Sequence, residues 1–351
     1  MDEFSKYLIS SKKKILDALK QLNRFGKADA LTLFVVDDNS CMLGTLTDGD
    51  IRRRLVEGCG LSEILLNVMH RQFEFLEVDN IQVEKIRDCR ERGICLMPVL
   101  DRSKQIQNII NFKKNLSYLP IDAVLMAGGK GERLRPLTEH TPKPLLKVGE
   151  KAIIDYNVDR LISFGVEQIY VTVNYLKEQI EDHFSSYNKG NIQCICEPKY
   201  LGTIGSISFI DGFSKESVLV MNSDLFTNIN YEDFYLHFKK HDADMAVAAI
   251  PYSVSVPYGI FELNGREVER ILEKPTYNYY ANAGIYLIKK DLLKLIPNNT
   301  FFNATDFIEL LVKKNRKVVR FPISGYWIDI GKHEELARAQ ELAKHIFCYN
   351  G

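Results

Sequence analysis

Residues 126–144 read Met-Ala-Gly-Gly-Lys-Gly-Glu-Arg-Leu-Arg-Pro-Leu-Thr-Glu-His-Thr-Pro-Lys-Pro, a glycine-rich turn followed by three cations, Arg133, Arg135 and Lys143. Glycines at 128, 129 and 131 leave the backbone bare, so its N–H groups can approach oxyanions that a Cβ would hold off. The cations that follow can neutralise several charges on one ligand. This combination suits the handling of phosphate. The two common phosphate-loop patterns do not fit. A P-loop ends in Gly-Lys-Ser/Thr, whereas Gly131 is followed by Glu132 and Arg133, and the dinucleotide fingerprint needs a glycine where Leu134 stands.

Two carboxylates end apolar runs further along. Val218-Leu219-Val220-Met221-Asn222-Ser223-Asp224 closes on Asp224, and Gly325-Tyr326-Trp327-Ile328-Asp329-Ile330-Gly331 carries Asp329 just before a helix expected over 333–346. A strand-terminal aspartate is either a helix cap or a cation ligand. Magnesium takes one or two protein carboxylates and fills the rest of its shell with phosphate and water, which suits two aspartates 105 residues apart. Other ligand-like spacings are weaker. Cys194 and Cys196 share one face of an alternating strand with no second pair nearby, and His237 and His241 lie four apart on a helix over 231–241 without a third ligand; both read as ordinary packing or surface.

The segments around these residues alternate strand and helix. Strands are expected at 121–126, 168–173 and 218–222, with helices at 153–164, closed by Gly165, and at 176–184. Such alternation predicts an α/β fold: a Rossmann-like, mostly parallel sheet with helices on both faces. Ligands bind such sheets beyond the carboxyl ends of the strands, where the glycine loop lies. A boundary falls near 115–121, separating a domain at 1–116 from a larger one at 120–351.

The run Gly128-Gly129-x-Gly131-x-Arg133-Leu134-x-Pro136-Leu137-Thr138, with Pro142-Lys143-Pro144 placing a lysine ten residues after the arginine, resembles the signature of the sugar-1-phosphate nucleotidyltransferase family. The resemblance runs from about residue 120 onward. It implies the nucleotide-diphospho-sugar transferase fold, with a nucleoside triphosphate and a sugar 1-phosphate as partners and Mg2+ as cofactor. It further implies catalytic roles for Arg133, Lys143, Asp224 and Asp329, the two aspartates holding the metal. Ala127, Gly128, Gly129, Gly131, Glu197, Gly202 and Thr203 would bind the nucleotide, and Gly259, Glu273, Lys274 and Asn282 the sugar phosphate. Two departures stand out: Ser223 replaces a glycine before the first aspartate, and Ile204 an alanine after Leu201-Gly202-Thr203. The branch reading favours GTP and glucosamine or mannose 1-phosphate, with UTP, dTTP or CTP as alternatives.

Gly44-Thr45-Leu46-Thr47-Asp48-Gly49-Asp50, followed by Ile51-Arg52-Arg53, is similar to the end of a CBS motif, a family that holds nucleotides with residues at the Thr47 and Asp50 positions. A second copy is expected over 61–112, with Ile110-Asn111-Phe112-Lys113 standing where the first has Thr47 through Asp50. A CBS pair implies an adenine-nucleotide effector; the plainer alternative is a dimerising or structural module. Fused ahead of a nucleotidyltransferase, the pair is similar to guanylyltransferases of nonulosonic (legionaminic) acid biosynthesis acting on glucosamine 1-phosphate. A homo-oligomer, most simply a dimer, is expected.

Forty-six basic and 46 acidic residues balance, so no global field draws the chain to nucleic acid or an anionic membrane, and neither is expected as a partner. Seven cysteines (41, 59, 89, 95, 194, 196 and 348) without paired spacing, and no signal or long apolar segment, predict a reducing cytoplasm. Two rival classes remain. An oxidoreductase would need an acidic residue where the second strand ends Thr172-Val173-Asn174, and a non-catalytic nucleotide sensor would have no use for the set of Arg133, Lys143, Asp224, Lys274 and Asp329.

Overall fold

The computed structural model describes residues 4–27, 29–187 and 189–347, so Cys348 lies outside the described residues. The chain forms two compact units: residues 1–119 with 163–165, and residues 120–162 with 166–351.

The first unit is built twice over. Strands β1 (Leu8–Ser10), β2 (Thr32–Val36) and β3 (Met42–Thr47) form one sheet, and β4 (Leu76–Glu77), β5 (Leu96–Leu100) and β6 (Ile106–Asn111) another. In each, the first strand runs parallel to the second and the second antiparallel to the third. Helices α1 (Ile15–Leu22), α2 (Asp48–Val56), α3 (Leu65–Val68) and α4 (Val83–Glu91) accompany them. The β2–β3 and β5–β6 turns match residue for residue. Asp37 Oδ1 accepts from the Asn39 and Cys41 amides, and Asp101 Oδ1 from the Ser103 and Gln105 amides. Each side chain thus replaces a backbone turn partner. The register corrects the sequence alignment of the copies by one residue: Thr32 pairs with Thr47 and Leu96 with Asn111, so Asn111, not Ile110, is the counterpart of Thr47.

The second unit carries β7 (Ile121–Met126), β8 (Lys147–Val148), β9 (Lys151–Ala152), β10 (Gln168–Val173), β11 (Asn191–Cys196), β12 (Ser217–Asn222), β13 (Leu225–Thr227), β14 (Met245–Ser255), β15 (Ile260–Asn264), β16 (Glu267–Leu272), β17 (Thr276–Lys289), β18 (Val318–Pro322) and β19 (Trp327–Asp329). Its helices are α5 (Ile153–Ser163), α6 (Lys177–Ser185), α7 (Tyr231–Lys240), α8 (Ala304–Lys313) and α9 (His333–Phe347). Seven strands form the central sheet in the order β11-β10-β7-β12-β17-β14-β18. Four neighbouring pairs are parallel, and β17 runs antiparallel to both of its neighbours. The sheet is therefore mixed and mostly parallel.

Continuous apolar strands such as β7 and β12 need cover on both faces. Val124, Val218 and Val220 pack on one side against Ala304, Phe307 and Leu311 of α8. On the other, Leu125, Leu219 and Met221 are equally buried, and Tyr231 of α7 donates to the Met221 sulfur at 3.2 Å.

Candidate active site

The sheet delivers its chemistry at the carboxyl ends of β7 and β12. Chain leaving β7 enters the glycine turn, which is tied back by the Ala127 amide to the Thr172 carbonyl (2.9 Å) and by the Thr138 hydroxyl to the Gly131 carbonyl (2.8 Å). Gly131 sits at φ 64°, a conformation that favours glycine, and a Cβ there would come 3.0 Å from Thr138 and 3.1 Å from Lys143. A Cβ on Gly128 would lie 2.5 Å from Glu197 Oε1, whereas one on Gly129 would meet nothing. The turn thus packs tightly at 128 and 131 and opens at 129.

Asp224 follows β12, in a turn held from below. The Ser223 hydroxyl donates to the Met126 carbonyl (2.7 Å), and buried Asn157 of α5 donates to the carbonyls of Ser223 (3.2 Å) and Leu225 (2.9 Å). Ser223, where the resemblance leads one to expect glycine, therefore locks the end of β12 to the end of β7.

The short ladder β13–β19 brings the second carboxylate in: Leu225 pairs with Asp329, and the Ile330 amide donates to the Asp224 carbonyl at 3.1 Å. Lys143 is ion-paired to Asp224, and both side chains are largely shielded from solvent. Among the described residues, buried Asp224 Oδ1 has no hydrogen-bond partner. Burial, then the negative charge of Asp224, push the Asp329 carboxyl above the usual carboxylate range, with Lys143 and Arg133 drawing it back. Arg133 lies against the chain at Gly331, where a Cβ would stand 3.2 Å from Nη2. Among the described residues, Asp329 makes no side-chain hydrogen bond to the start of α9, so it is not the cap of that helix.

These residues line one cleft of about 770 Å³, together with Ala127, Gly128, Gly129, Gly131, Glu197, Gly202 and Thr203. Its chemical character is plain: bare backbone, three cations (Lys130, Arg133 and Lys143) and four carboxylates (Glu132, Glu197, Asp224 and Asp329), Asp224 with an orphaned oxygen. A buried carboxylate oxygen without a donor is costly unless a cation meets it, and a divalent ion fits the donor set. No cluster of three or more His, Cys, Asp or Glu placed to hold a metal occurs among the described residues, so the protein would supply two carboxylates.

Glu197 is 5% exposed; its Oε2 accepts from the Leu201 amide at 3.2 Å, and burial raises its carboxyl pKa against that bond. The segment after it is stitched to residues 300–304. Phe302 donates to Leu201, the Ile204 and Gly205 amides to the Phe302 carbonyl, and the Ala304 amide to the Thr203 hydroxyl at 2.8 Å. Gly202, at φ 80°, passes so close to Phe302 and Asn303 that a Cβ would clash. Ile204 is fully buried in the core beside α8, which is what its bulk does there.

The four residues expected to hold the sugar phosphate do not line this cleft. Gly259 and Glu273 flank the β15–β16 hairpin at its base, Lys274 follows at φ 44°, and Asn282 on β17 is exposed and bonded to the Tyr286 hydroxyl at 2.9 Å. Sequence reasoning passed over Asn222, Tyr200 and Lys130, which do line it. Asn222 carried a signal, since it immediately precedes Ser223-Asp224 and abuts Gly284 at φ 72°.

Elsewhere, Thr47 and Asp50 bond to each other as the N-terminal cap of α2: Asp50 Oδ2 accepts from the Thr47 amide (2.8 Å) and hydroxyl (2.7 Å), and Arg53 pairs with Oδ1. Burial raises the Asp50 pKa, but these bonds outweigh it and hold the carboxyl below its ordinary range. His237 is bonded to the Arg320 carbonyl and His241 to the His237 carbonyl, a structural pair. The Cys194 and Cys196 thiols both have raised pKa values, Cys194 chiefly from burial and Cys196 chiefly from its bond to Glu181. No helix among the described residues is long and apolar enough to cross a membrane.

A mostly parallel α/β sheet with a glycine turn, cations and carboxylates gathered in a cleft at its strand ends belongs to the class of α/β proteins that build their site beyond the sheet. The chain belongs to the Nucleotidyl transferase family, whose profile matches residues 122–345. It is 30% identical over 225 residues to a mannose-1-phosphate guanyltransferase of Schizosaccharomyces pombe, covering 61% of each chain. It is 31% identical over 228 residues to the bifunctional protein GlmU of Methanocaldococcus jannaschii, covering 63% of this chain and 54% of that one. The aligned part thus spans half to three-fifths of these curated relatives. Among solved structures, HddC from Yersinia pseudotuberculosis matches with a TM-score of 0.52 and 26% identity, over 64% of this chain and all of HddC. HddC has also been solved in complex with GMP-PN.

Proposed function

We propose that this chain joins a nucleoside triphosphate to a sugar 1-phosphate, releasing pyrophosphate and forming a nucleoside-diphosphate sugar. The observation that carries the reading is the convergence of the glycine turn, Arg133, Lys143, Asp224 and Asp329 on one cleft at the strand ends. A phosphate oxygen of the sugar 1-phosphate attacks the α-phosphorus in line. One P–O bond forms as the bond to the β-phosphate breaks, and pyrophosphate carries the displaced electron pair away. The nucleophile is already anionic, so no general base is required; the barrier is charge crowding, and cations lower it. Arg133 and Lys143 hold the triphosphate, and bare amides of the turn donate to its oxygens. Asp224 and Asp329 would hold Mg2+, which neutralises phosphate charge when bound.

A guanine nucleotide is favoured by the guanyltransferase relatives and by the GMP-PN complex of HddC. Mannose or glucosamine 1-phosphate is the favoured sugar. Glu273, Lys274, Gly259 and Asn282, which lie outside the cleft lining, would engage the sugar phosphate. The doubled N-terminal unit, residues 1–116, would act as a CBS pair binding an adenine-nucleotide effector. Its Thr47 and Asp50 already satisfy each other, so such a ligand would have to compete with the α2 cap.

The test is pyrophosphate release from a panel of four triphosphates, each with mannose, glucosamine and glucose 1-phosphates, with Mg2+ and with a chelator. GTP should turn over fastest and the chelator should abolish release. Silence with every pair would overturn the reading.

A further inference from the structure

Four neutral polar side chains line the cleft: Tyr200, Thr203, Asn222 and Ser223. Ser223 is committed to the Met126 carbonyl, and Thr203 accepts from the Ala304 amide. Tyr200 belongs with Glu197, Gly202 and Thr203, its ring set edge-on against Phe301 at 5.9 Å. Asn222 stands two residues before Asp224, and among the described residues its carboxamide makes no hydrogen bond.

The fold makes room for that carboxamide. Val247 and Ala249 of β14 pair with Tyr286 and Asn282, so one residue of β14 faces three of β17: Ala283, Gly284 and Ile285. Such an excess is a bulge, a device that re-aims side chains beside functional sites. On the other side of β17, the ladder with β12 ends at Met221 opposite Ile285, which brings Asn222 to the bulge. Gly284 takes φ 72° there, and a Cβ on it would stand 2.6 Å from Asn222 Nδ2. Glycine at 284 thus serves both the left-handed backbone and the amide beside it. The bulge is pinned on two sides. The Gly284 amide donates to Asn282 Oδ1 at 2.9 Å, and the indole of Trp327, two residues before Asp329, donates to the Ala283 carbonyl at 2.9 Å.

We propose that Asn222 reads a hydroxyl group of the sugar and so helps to set which sugar 1-phosphate is used, an inference that rests on the reaction proposed above. The chemistry matches. A hydroxyl is neutral and both donates and accepts, and a carboxamide answers it with two donors and an acceptor. The charged side chains that share the cleft suit phosphate and metal instead. The reach matches as well. The attacking phosphate must lie before Asp224 and Asp329, and two residues of chain span at most about 7 Å, which places Asn222 alongside a ring bonded to that phosphate. A site that bonds a substrate hydroxyl discriminates strongly against an analogue lacking it, because the buried polar group is then left unpaired.

The test is steady-state kinetics of the full chain with its best triphosphate and sugar 1-phosphate, beside calorimetric binding of the triphosphate alone. Asn222→Ala should raise KM for the sugar 1-phosphate roughly 10-fold, the effect of losing one uncharged hydrogen bond, and leave triphosphate affinity within about 2-fold. The decisive comparison uses monodeoxy analogues of that sugar 1-phosphate. One analogue should lose roughly 10-fold in kcat/KM with the wild-type protein and nothing further with Asn222→Ala, since hydroxyl and carboxamide are then one interaction removed twice. A merely loosened fold produces no such coupling. Equal losses for every analogue in both proteins, or an unchanged KM in the variant, would overturn the inference and leave the proposed reaction standing. A wild-type protein inactive with every pair would overturn both. Should Asn222→Ala fold poorly, Asn222→Ser, whose side chain is too short to reach, decides by the same comparison.

Discussion

Adding one methyl group to the glycine turn should have opposite consequences at adjacent positions. At Gly128 a Cβ would come 2.5 Å from Glu197 Oε1, 3.1 Å from Glu197 Cδ and 3.4 Å from Asn174 Cβ. Glu197 cannot swing aside freely, because it is 5% exposed and its backbone is fixed by Val173 (2.9 Å) and the Asn174 amide (3.1 Å). Moving its carboxylate also breaks the 3.2 Å bond to the Leu201 amide. Overpacking costs about 1–3 kcal/mol and an orphaned buried amide a similar amount, while the lost chain entropy of glycine returns roughly 0.4–1. Gly128→Ala should therefore destabilise the second unit by about 2–4 kcal/mol, and Glu197→Asp, one methylene shorter, should restore part of it. At Gly129 the Cβ meets nothing and φ is not positive, so Gly129→Ala should melt as the wild type does. Its methyl group enters the cleft instead, and nucleotide affinity should fall at least ~10-fold. Calorimetric melting and nucleotide titration of both variants provide the assay. Equal melting temperatures for Gly128→Ala and wild type, or unchanged nucleotide affinity for Gly129→Ala, would refute the reasoning.

Lys143→Ala and Asp224→Ala should each lower pyrophosphate release by about 10²- to 10³-fold, with far-UV circular dichroism unchanged; wild-type turnover in either would remove these residues from the chemistry. Asn157→Leu strips two carbonyl partners from the turn that carries Asp224, so it should cost about 1–3 kcal/mol in denaturant titrations and lower turnover as well. Glu197 has a folded pKa above its ordinary 4.5, so its ionisation opposes folding: the penalty is absent below that value and develops as pH rises through the folded pKa. Glu197→Gln removes it, and the stability gap between variant and wild type should widen in the variant's favour from acid to neutral pH; a gap independent of pH would contradict the burial argument.

Local pattern made much of the fold legible. The strands Ile121–Met126 and Gln168–Val173 fall where the sequence puts them, and the helix Ile153–Ser163 ends within a residue of where it was expected, because apolar runs and a 3.6-residue period are local signals. Helix α6 begins a residue later than expected, since Leu176 takes a left-handed φ of 48° as its N-cap. What pattern could not convey is pairing over long distances. The antiparallel insertion of β17 beside β12, and the ladder that seats Asp329 opposite Leu225, depend on partners far apart in the chain. The site was read in the same proportion. The loop residues and aspartates meet in one cleft, whereas Gly259, Glu273, Lys274 and Asn282 stand apart from it, their positions set by how a projecting hairpin is held rather than by its own sequence.

The rung between Leu225 and Asp329 also imposes an order in time. A chain emerging from the ribosome can form β7, β10 and β12 long before residue 329 exists, and domains assemble from their earlier segments during synthesis. Any nascent or truncated product ending before β19 would hold the glycine turn and Asp224 without their second carboxylate. A nascent chain would therefore gain the paired carboxylate only once β19 has been made and laid against β13.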